Sequence, residues 1–416
     1  MNSGNVRNRI ALISMLAVLG ACNEGPTSRA MTGTTAGVTA GGDESDTEGD
    51  DSLTEGDAQS DSEASTGGDT LDGDSNSGGS SESGEPADSD DDEGEQCEQA
   101  QYSFTFTPET PNVMLVLDKS RSMSNLWDHD LDGSTPMISR YHSLHNVTRY
   151  LVNAFADEIN FGAQLFPSAD AWLDEPTNDF SCLVEGDPEV PLGPNSAADI
   201  TAVMPPADDF TFSGGTPAVA GLTSAIDHLL DEAPADSNRA IIFITDGAAN
   251  CSPDELPEDT LFVYDAEVPQ LIETTYNDEG IPVYVVGINI MDEMGTKPAV
   301  NPFEAITDAA EVGGAPAPGG HPFYNAFNEI DLVDALDQVI SDIECTVNLD
   351  VEPIFPDSVG VAVDLEDIDQ VDDCETQDGW TYPSEDGPFN SILLCGSACD
   401  SIQNGGVVDV EYLCPG

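Results

Sequence analysis

Between residues 43 and 95 the chain carries 21 Asp or Glu and not one Lys or Arg. Ser, Gly and Thr fill most of the remainder, and large apolar side chains are nearly absent. Such a segment buries too little surface to offset the entropy of ordering it. The 416 residues therefore divide into a part that cannot fold alone and a part that can. Residues 22–96 read as a disordered acidic linker. Residues 97–416 suffice for one large domain and a small one. The formal net charge of −72 argues against nucleic acid as a partner, because a polyanion needs cationic faces. Solubility is its plainest meaning, and diffuse calcium buffering is the sharper one.

Arg7 and Arg9 precede an apolar stretch from Ile10 to Leu19, the layout of a signal peptide over residues 1–21. It ends Leu19-Gly20-Ala21-Cys22, which resembles a bacterial lipobox. That resemblance implies that Cys22 is lipidated and becomes the mature N-terminus, so the membrane is met only through a lipid anchor. Asn23 leans toward the outer membrane and the cell surface. No other segment approaches the ~20 apolar residues of a membrane helix. Eight further cysteines remain: Cys97, Cys182, Cys251, Cys345, Cys374, Cys395, Cys399 and Cys414. An even set in an exported chain points to four disulfides among about 105 possible pairings. Cys97 enters the large domain and Cys345 leaves it, so these two are in position to bracket it. Cys182 and Cys251 sit in loops of that domain. The other four lie in the last 43 residues and are expected to pair among themselves.

Apolar runs at 113–117, 161–166, 240–245 and 281–288 read as strands buried on both faces. Between them, Tyr141, Leu144, Val147, Leu151 and Phe155 recur at helical spacing, with a start near Ser134 to Pro136. Further helices are expected after Ser213-Gly214-Gly215-Thr216-Pro217, through Tyr264, Val268 and Leu271, and over 303–310 and 327–344. Residues 168–210 read as a long loop. Strands alternating with helices imply an α/β fold, a doubly wound, mostly parallel sheet flanked by helices, over residues 97–345. Beyond Cys345 the helical period disappears and short alternating runs take over. Residues 346–416 read as a small Cys-rich β module.

The chemistry concentrates at strand ends. Val113 to Leu117 runs into Asp118-Lys119-Ser120-Arg121-Ser122, and Ala240 to Thr245 runs into Asp246-Gly247. In open α/β sheets, ligands bind at the carboxyl ends of the strands. Hydroxyls and carboxylates are hard oxygen donors suited to Mg²⁺ or Ca²⁺ rather than Zn²⁺. Thr216 adds a third hydroxyl. Gly214 and Gly215 let the backbone bend close to a metal, and Pro217 fixes the first helical turn.

Asp118, Ser120, Ser122, Thr216 and Asp246, in that order, resemble the metal-ion-dependent adhesion site (MIDAS) of the von Willebrand factor A (VWA) domain. The resemblance implies that the three hydroxyls bind Mg²⁺, or Ca²⁺ or Mn²⁺ in its place. It further implies that Asp118 and Asp246 act largely through water, and that an acidic side chain of a protein partner fills an open coordination position. The whole arrangement of signal, acidic linker, domain and Cys-rich tail resembles exported VWA lipoproteins of a myxobacteria-like type. The chain is therefore expected to be a lipid-anchored surface adhesion module and not an enzyme. The alternative is a structural or calcium-responsive envelope protein whose metal site has no dedicated partner.

Two secondary expectations follow. Lys119 and Arg121 are two of only six basic residues beyond the linker, and they are expected to steer an acidic partner toward the metal. Asp128, Asp130 and Asp132, followed by Gly133, resemble the first half of an EF-hand loop and form a candidate second cation site for Ca²⁺. Its twelfth position is Ser139 rather than Glu.

Overall fold

A computed structural model describes residues 103–414, apart from 170, 172–179, 209–213, 236, 254, 257, 258, 350, 375, 385 and 386. Residues 1–21, read as a signal peptide, Cys22, residues 22–96, read as a linker, and Cys97 lie outside the described residues. The strands are β1 (Ser103–Phe106), β2 (Asn112–Asp118), β3 (Leu126–Trp127), β4 (Ile138–Ser139), β5 (Asn160–Phe166), β6 (Val190–Gly193), β7 (Arg239–Thr245), β8 (Val283–Ile288) and β9 (Tyr324–Ala326). They continue as β10 (Thr346–Asn348), β11 (Val359–Val363), β12 (Glu366–Ile368), β13 (Gly379–Thr381), β14 (Ser391–Cys395) and β15 (Val408–Tyr412). The helices are α1 (Arg140–Ala154), α2 (Ala197–Val203), α3 (Ala218–Glu232), α4 (Val268–Glu279), α5 (Pro302–Glu311), α6 (Glu329–Cys345) and α7 (Ser397–Gln403).

Six strands form the main sheet in the order β6-β5-β2-β7-β8-β9. All neighbours run parallel except β6, which pairs antiparallel with β5. β2 shows why its run has no polar alternation. Val113, Leu115 and Leu117 pack into one core with residues of α1, α2 and α6, while Met114 and Val116 pack into the opposite core with α3, α4 and α5. A strand covered on both faces needs apolar side chains at both parities. The chain leaves β2 toward β5 on one side and later returns to β7 on the other. The carboxyl ends of β2 and β7 therefore flank the topological switch point, where doubly wound sheets bind ligands.

Several local expectations are corrected. Residues 168–210 hold β6 and α2; their Pro and Asp content hid elements too short to show a period. α1 begins at Arg140, not near Pro136, because the Ser139 side chain caps it by accepting from His142 N. α4 starts at Val268 and leaves out Tyr264, with Pro269 in its first turn.

The tail module holds two antiparallel sheets, β1-β15-β11-β12 and β10-β14-β13, around Trp380, Val361, Val410 and Ile392. It also contains α7, which is too short to leave a helical period in the sequence. β1 pairs along its length with β15, and the Phe104 ring packs edge-on against Tyr412 at 5.4 Å. Ser103–Phe106 thus belong by pairing to the tail sheet, although a boundary at Cys97 assigns them to the large domain. Local pattern identifies a strand but not its partner.

Cys182 pairs with Cys251, as their loops allowed, and Cys374 pairs with Cys395. Cys345 pairs with Cys399 rather than bracketing the large domain with Cys97. α6 ends at Cys345 inside the tail core, beside α7. Cys414 is also disulfide-bonded. Among the described residues, no helix is long and apolar enough to cross a membrane.

Candidate metal centre

Asp118 closes β2 and is fully buried. Its Oδ1 accepts from Ser120 N at 2.7 Å, and its Oδ2 accepts from Thr245 Oγ1, also at 2.7 Å. Ser122 Oγ donates to Asp246 Oδ1 at 2.7 Å, and Ser120 Oγ lies 2.9 Å from Ser122 Oγ. A hydroxyl has one proton, so with Ser122 committed to Asp246, Ser120 donates to Ser122. Each hydroxyl oxygen keeps lone-pair capacity for a cation. Four of the five expected site residues are thereby joined in two short hydrogen-bonded groups at neighbouring strand ends.

Thr216 is held from both sides of its backbone. Its N–H donates to Asn250 Oδ1 at 2.7 Å, and its carbonyl accepts from Asn250 N at 3.0 Å. The Gly214 carbonyl accepts from Arg121 N at 3.2 Å, which docks the Thr216 turn onto the Ser120–Ser122 loop. Gly215 N donates to the Ser181 carbonyl at 2.8 Å, and Cys182 is disulfide-bonded to Cys251, the neighbour of Asn250. Gly214 has φ +135°, a conformation that side chains resist. A Cβ on Gly215 would come within 2.7 Å of both Asn250 Oδ1 and Leu261 Cδ2.

The electrostatics fit a small hard cation. Burial first, and then repulsion from Asp246, push the Asp118 carboxyl up to about 7 against the hydrogen bonds that favour its charge. A divalent cation would relieve both effects. Three hydroxyls and two carboxylates match the oxygen preference of Mg²⁺ and Ca²⁺.

The basic residues are arranged differently from expectation. Lys119 is only 1% exposed, so it offers no charge to a partner in solvent. Arg121 is exposed. Arg140, which the sequence does not single out, donates from Nη1 to Asp246 Oδ2 at 2.7 Å. Thr245 and Asn250 also support the site, and of the two only Thr245 adjoins a candidate ligand, Asp246, in the sequence.

The EF-hand-like stretch is organised as turns. Asp130 Oδ1 accepts from Asp132 N at 3.1 Å and from Thr135 Oγ1 at 2.7 Å, and Asp132 Oδ1 accepts from Ser134 N at 2.9 Å and Oγ at 2.6 Å. These bonds hold both carboxyls below their usual range. Ser139, its twelfth position, caps α1 instead. Among the described residues, no three His, Cys, Asp or Glu side chains gather as metal ligands.

No family model and no curated protein matches the chain. Among solved structures, it is similar to the pilus adhesin SpaC from Lactobacillus rhamnosus GG, with 13% identity and a TM-score of 0.41 over 75% of this chain and 41% of that one. It is similar to a von Willebrand factor type A protein from Catenulispora acidiphila, with 14% identity and a TM-score of 0.36 over 76% of this chain and 62% of that one. It is also similar to the vWF domain of the type V pili tip protein Mfa5 from Porphyromonas gingivalis, with 11% identity and a TM-score of 0.35 over 56% of this chain and 94% of that one. The chain thus spans less than half the length of the SpaC adhesin.

Proposed function

We propose that this protein is an exported, VWA-type binding module that engages a carboxylate of a protein partner through a divalent cation. Ser120, Ser122 and Thr216 would hold Mg²⁺, or Mn²⁺ or Ca²⁺, by their hydroxyls, with Asp118 and Asp246 behind them. When bound, the cation would supply a hard electrophilic point to which a partner's carboxylate adds. The observation that carries this reading is the chain from Ser120 Oγ through Ser122 Oγ to Asp246 Oδ1, beside buried Asp118 at the switch point.

The protein's own groups preorganise the site. Thr245 and Ser120 N fix the Asp118 carboxylate, and Asn250 fixes the Thr216 backbone. All four carboxylate oxygens of Asp118 and Asp246 already accept a hydrogen bond. That favours binding over proton abstraction from water, and so a binding protein over a hydrolase. A lipid at Cys22 and the acidic linker would place the module at the cell surface. About 70 flexible residues span roughly 45 Å, and like charges extend them further.

The test is Mg²⁺ titration of the purified protein and of Asp118→Ala by calorimetry, joined to capture of surface proteins with and without EDTA. Mg²⁺ binding that Asp118→Ala abolishes, with an EDTA-sensitive partner, supports the reading. No Mg²⁺ binding by the unaltered protein overturns it. Metal binding without any EDTA-sensitive capture favours the envelope protein that has no dedicated partner.

A further inference from the structure

Arg140 stands where a metal site would seem to gain nothing from it. The chain has nine basic residues against 81 acidic ones, yet one guanidinium is spent on Asp246. The Arg140 side chain is 15% exposed and that of Asp246 is 0% exposed, and Nη1 lies 2.7 Å from Oδ2. The Arg140 Nε is buried with no hydrogen-bond partner. Removing an arginine from water this far is costly unless its charge is used.

The two oxygens of Asp246 are divided. Oδ1 accepts from the Ser122 hydroxyl and Oδ2 accepts from Arg140. Arg140 therefore does not occupy the side of the carboxylate that looks into the candidate metal site, and both cations can be served at once. The position is fixed from the backbone as well. Arg140 opens α1, with Ser139 as its cap, and its N–H donates to the Asn125 carbonyl at 3.1 Å, in the loop that follows Ser122.

The charge count then decides what the loaded site accepts. Counting the two carboxylates, both ionised, and the groups hydrogen-bonded to them, Asp118 and Asp246 against Arg140 leave one net negative charge. A divalent cation turns this into one net positive charge, and a single carboxylate restores neutrality. Without Arg140 the loaded site would already be neutral and would have little electrostatic demand for an anion. We propose that Arg140 is the residue that makes the metal-loaded site select an acidic ligand, trading metal affinity for carboxylate affinity. The proposal rests on the metal-site reading above. It places the selecting charge inside the site, not on the exposed Arg121.

Two neutral variants, Arg140→Gln and Arg140→Met, and the charge-retaining Arg140→Lys test it in the full chain, each checked for fold by near-UV circular dichroism. Mg²⁺ is titrated by calorimetry, and acetate is titrated at saturating Mg²⁺ by NMR. Loss of a nearby positive charge should tighten Mg²⁺ about 5- to 10-fold and weaken acetate about 5-fold or more, with opposite signs in one protein. Arg140→Lys should return both toward the starting values. Either neutral variant suffices if the other fails to fold, and Arg140→Lys against the unaltered protein remains informative if both fail. Equal loss of Mg²⁺ and acetate affinity would mean a merely structural role and overturns the proposal. So does unchanged acetate affinity, or acetate affinity that Lys does not preserve. If the unaltered protein binds no Mg²⁺ at all, the metal-site reading itself has failed. If it binds Mg²⁺ and the neutral variants do not tighten it, only the role of Arg140 has.

Discussion

Thr245 Oγ1 donates to Asp118 Oδ2 at 2.7 Å, from the end of one strand to the end of its parallel neighbour. Both groups are buried, so the bond satisfies a carboxylate oxygen that water does not reach. Thr245→Val keeps the shape of the side chain and removes the donor. It is expected to cost about 1–3 kcal/mol in urea unfolding, the penalty of an unsatisfied buried acceptor. It should also weaken Mg²⁺ binding in calorimetry. Unchanged stability would show that Asp118 finds another donor.

The same carboxylate predicts a pH dependence. The Asp118 carboxyl is raised from 3.8 to about 7 in the fold. Because the folded value lies above the unfolded one, its contribution to stability is fully present below about pH 4 and is lost as pH rises through about 7. Asp118→Asn does not titrate. Without metal, it should match the unaltered protein near pH 4 and exceed it at pH 8. Mg²⁺ at pH 8 should raise the melting temperature of the unaltered protein and leave Asp118→Asn unmoved. Parallel melting curves for the two proteins across this pH range would contradict the assignment.

The Cys182–Cys251 disulfide closes a separation of 69 residues and ties together the two segments that grip the Thr216 turn. Chain-entropy arguments value such a closure at about 4 kcal/mol. Cys182→Ser with Cys251→Ser should lose a large part of that. Hydrogen exchange should quicken at Gly215 and Thr216, which donate to Ser181 and Asn250. Gly215→Ala should disturb the same turn by crowding Asn250 and Leu261, at about 1–3 kcal/mol. Exchange that quickens evenly over the whole domain would mean that the disulfide serves global stability alone.

Arg121 remains exposed on the site loop after Lys119 proved buried. Arg121→Gly is expected to slow association with an acidic partner several-fold at low ionic strength and hardly at all at high salt, since exposed charges are screened. Surface plasmon resonance at two salt concentrations distinguishes this from an equal loss at both.

On α6, Asp337 has a buried Oδ1 with no hydrogen-bond partner. Burial first, and then Asp334, push its carboxyl up from 3.8 to about 6. The raised value means that stability present below about pH 4 is lost as pH rises through 6. Asp337→Asn should be more stable than the parent at pH 7 by a few tenths to about 1 kcal/mol, after allowance for partial solvent screening. The two should converge near pH 4. A less stable Asn variant at pH 7 would reveal a partner for the carboxylate.

The sequence by itself determined the doubly wound sheet and singled out the five oxygen-bearing residues of the candidate site. The reason is that each was written locally. Strands buried on both faces need unbroken apolar runs, as in Val113 to Leu117, and donors at strand ends follow them directly in the chain. Helix phase was equally local, so the apolar face of α1 is legible in the sequence, whereas its first turn depends on the Ser139 cap. Tertiary structure alone decided the rest. Lys119 and Arg121 bear the same charge and are separated by a single residue, yet packing buries the first and exposes the second. Arg140 reaches Asp246 from 106 residues away, and β1 pairs with β15 across most of the folded chain. Cys345 finds Cys399 because α6 delivers it into the tail core. Such pairings depend on where elements dock, which no local period or composition records.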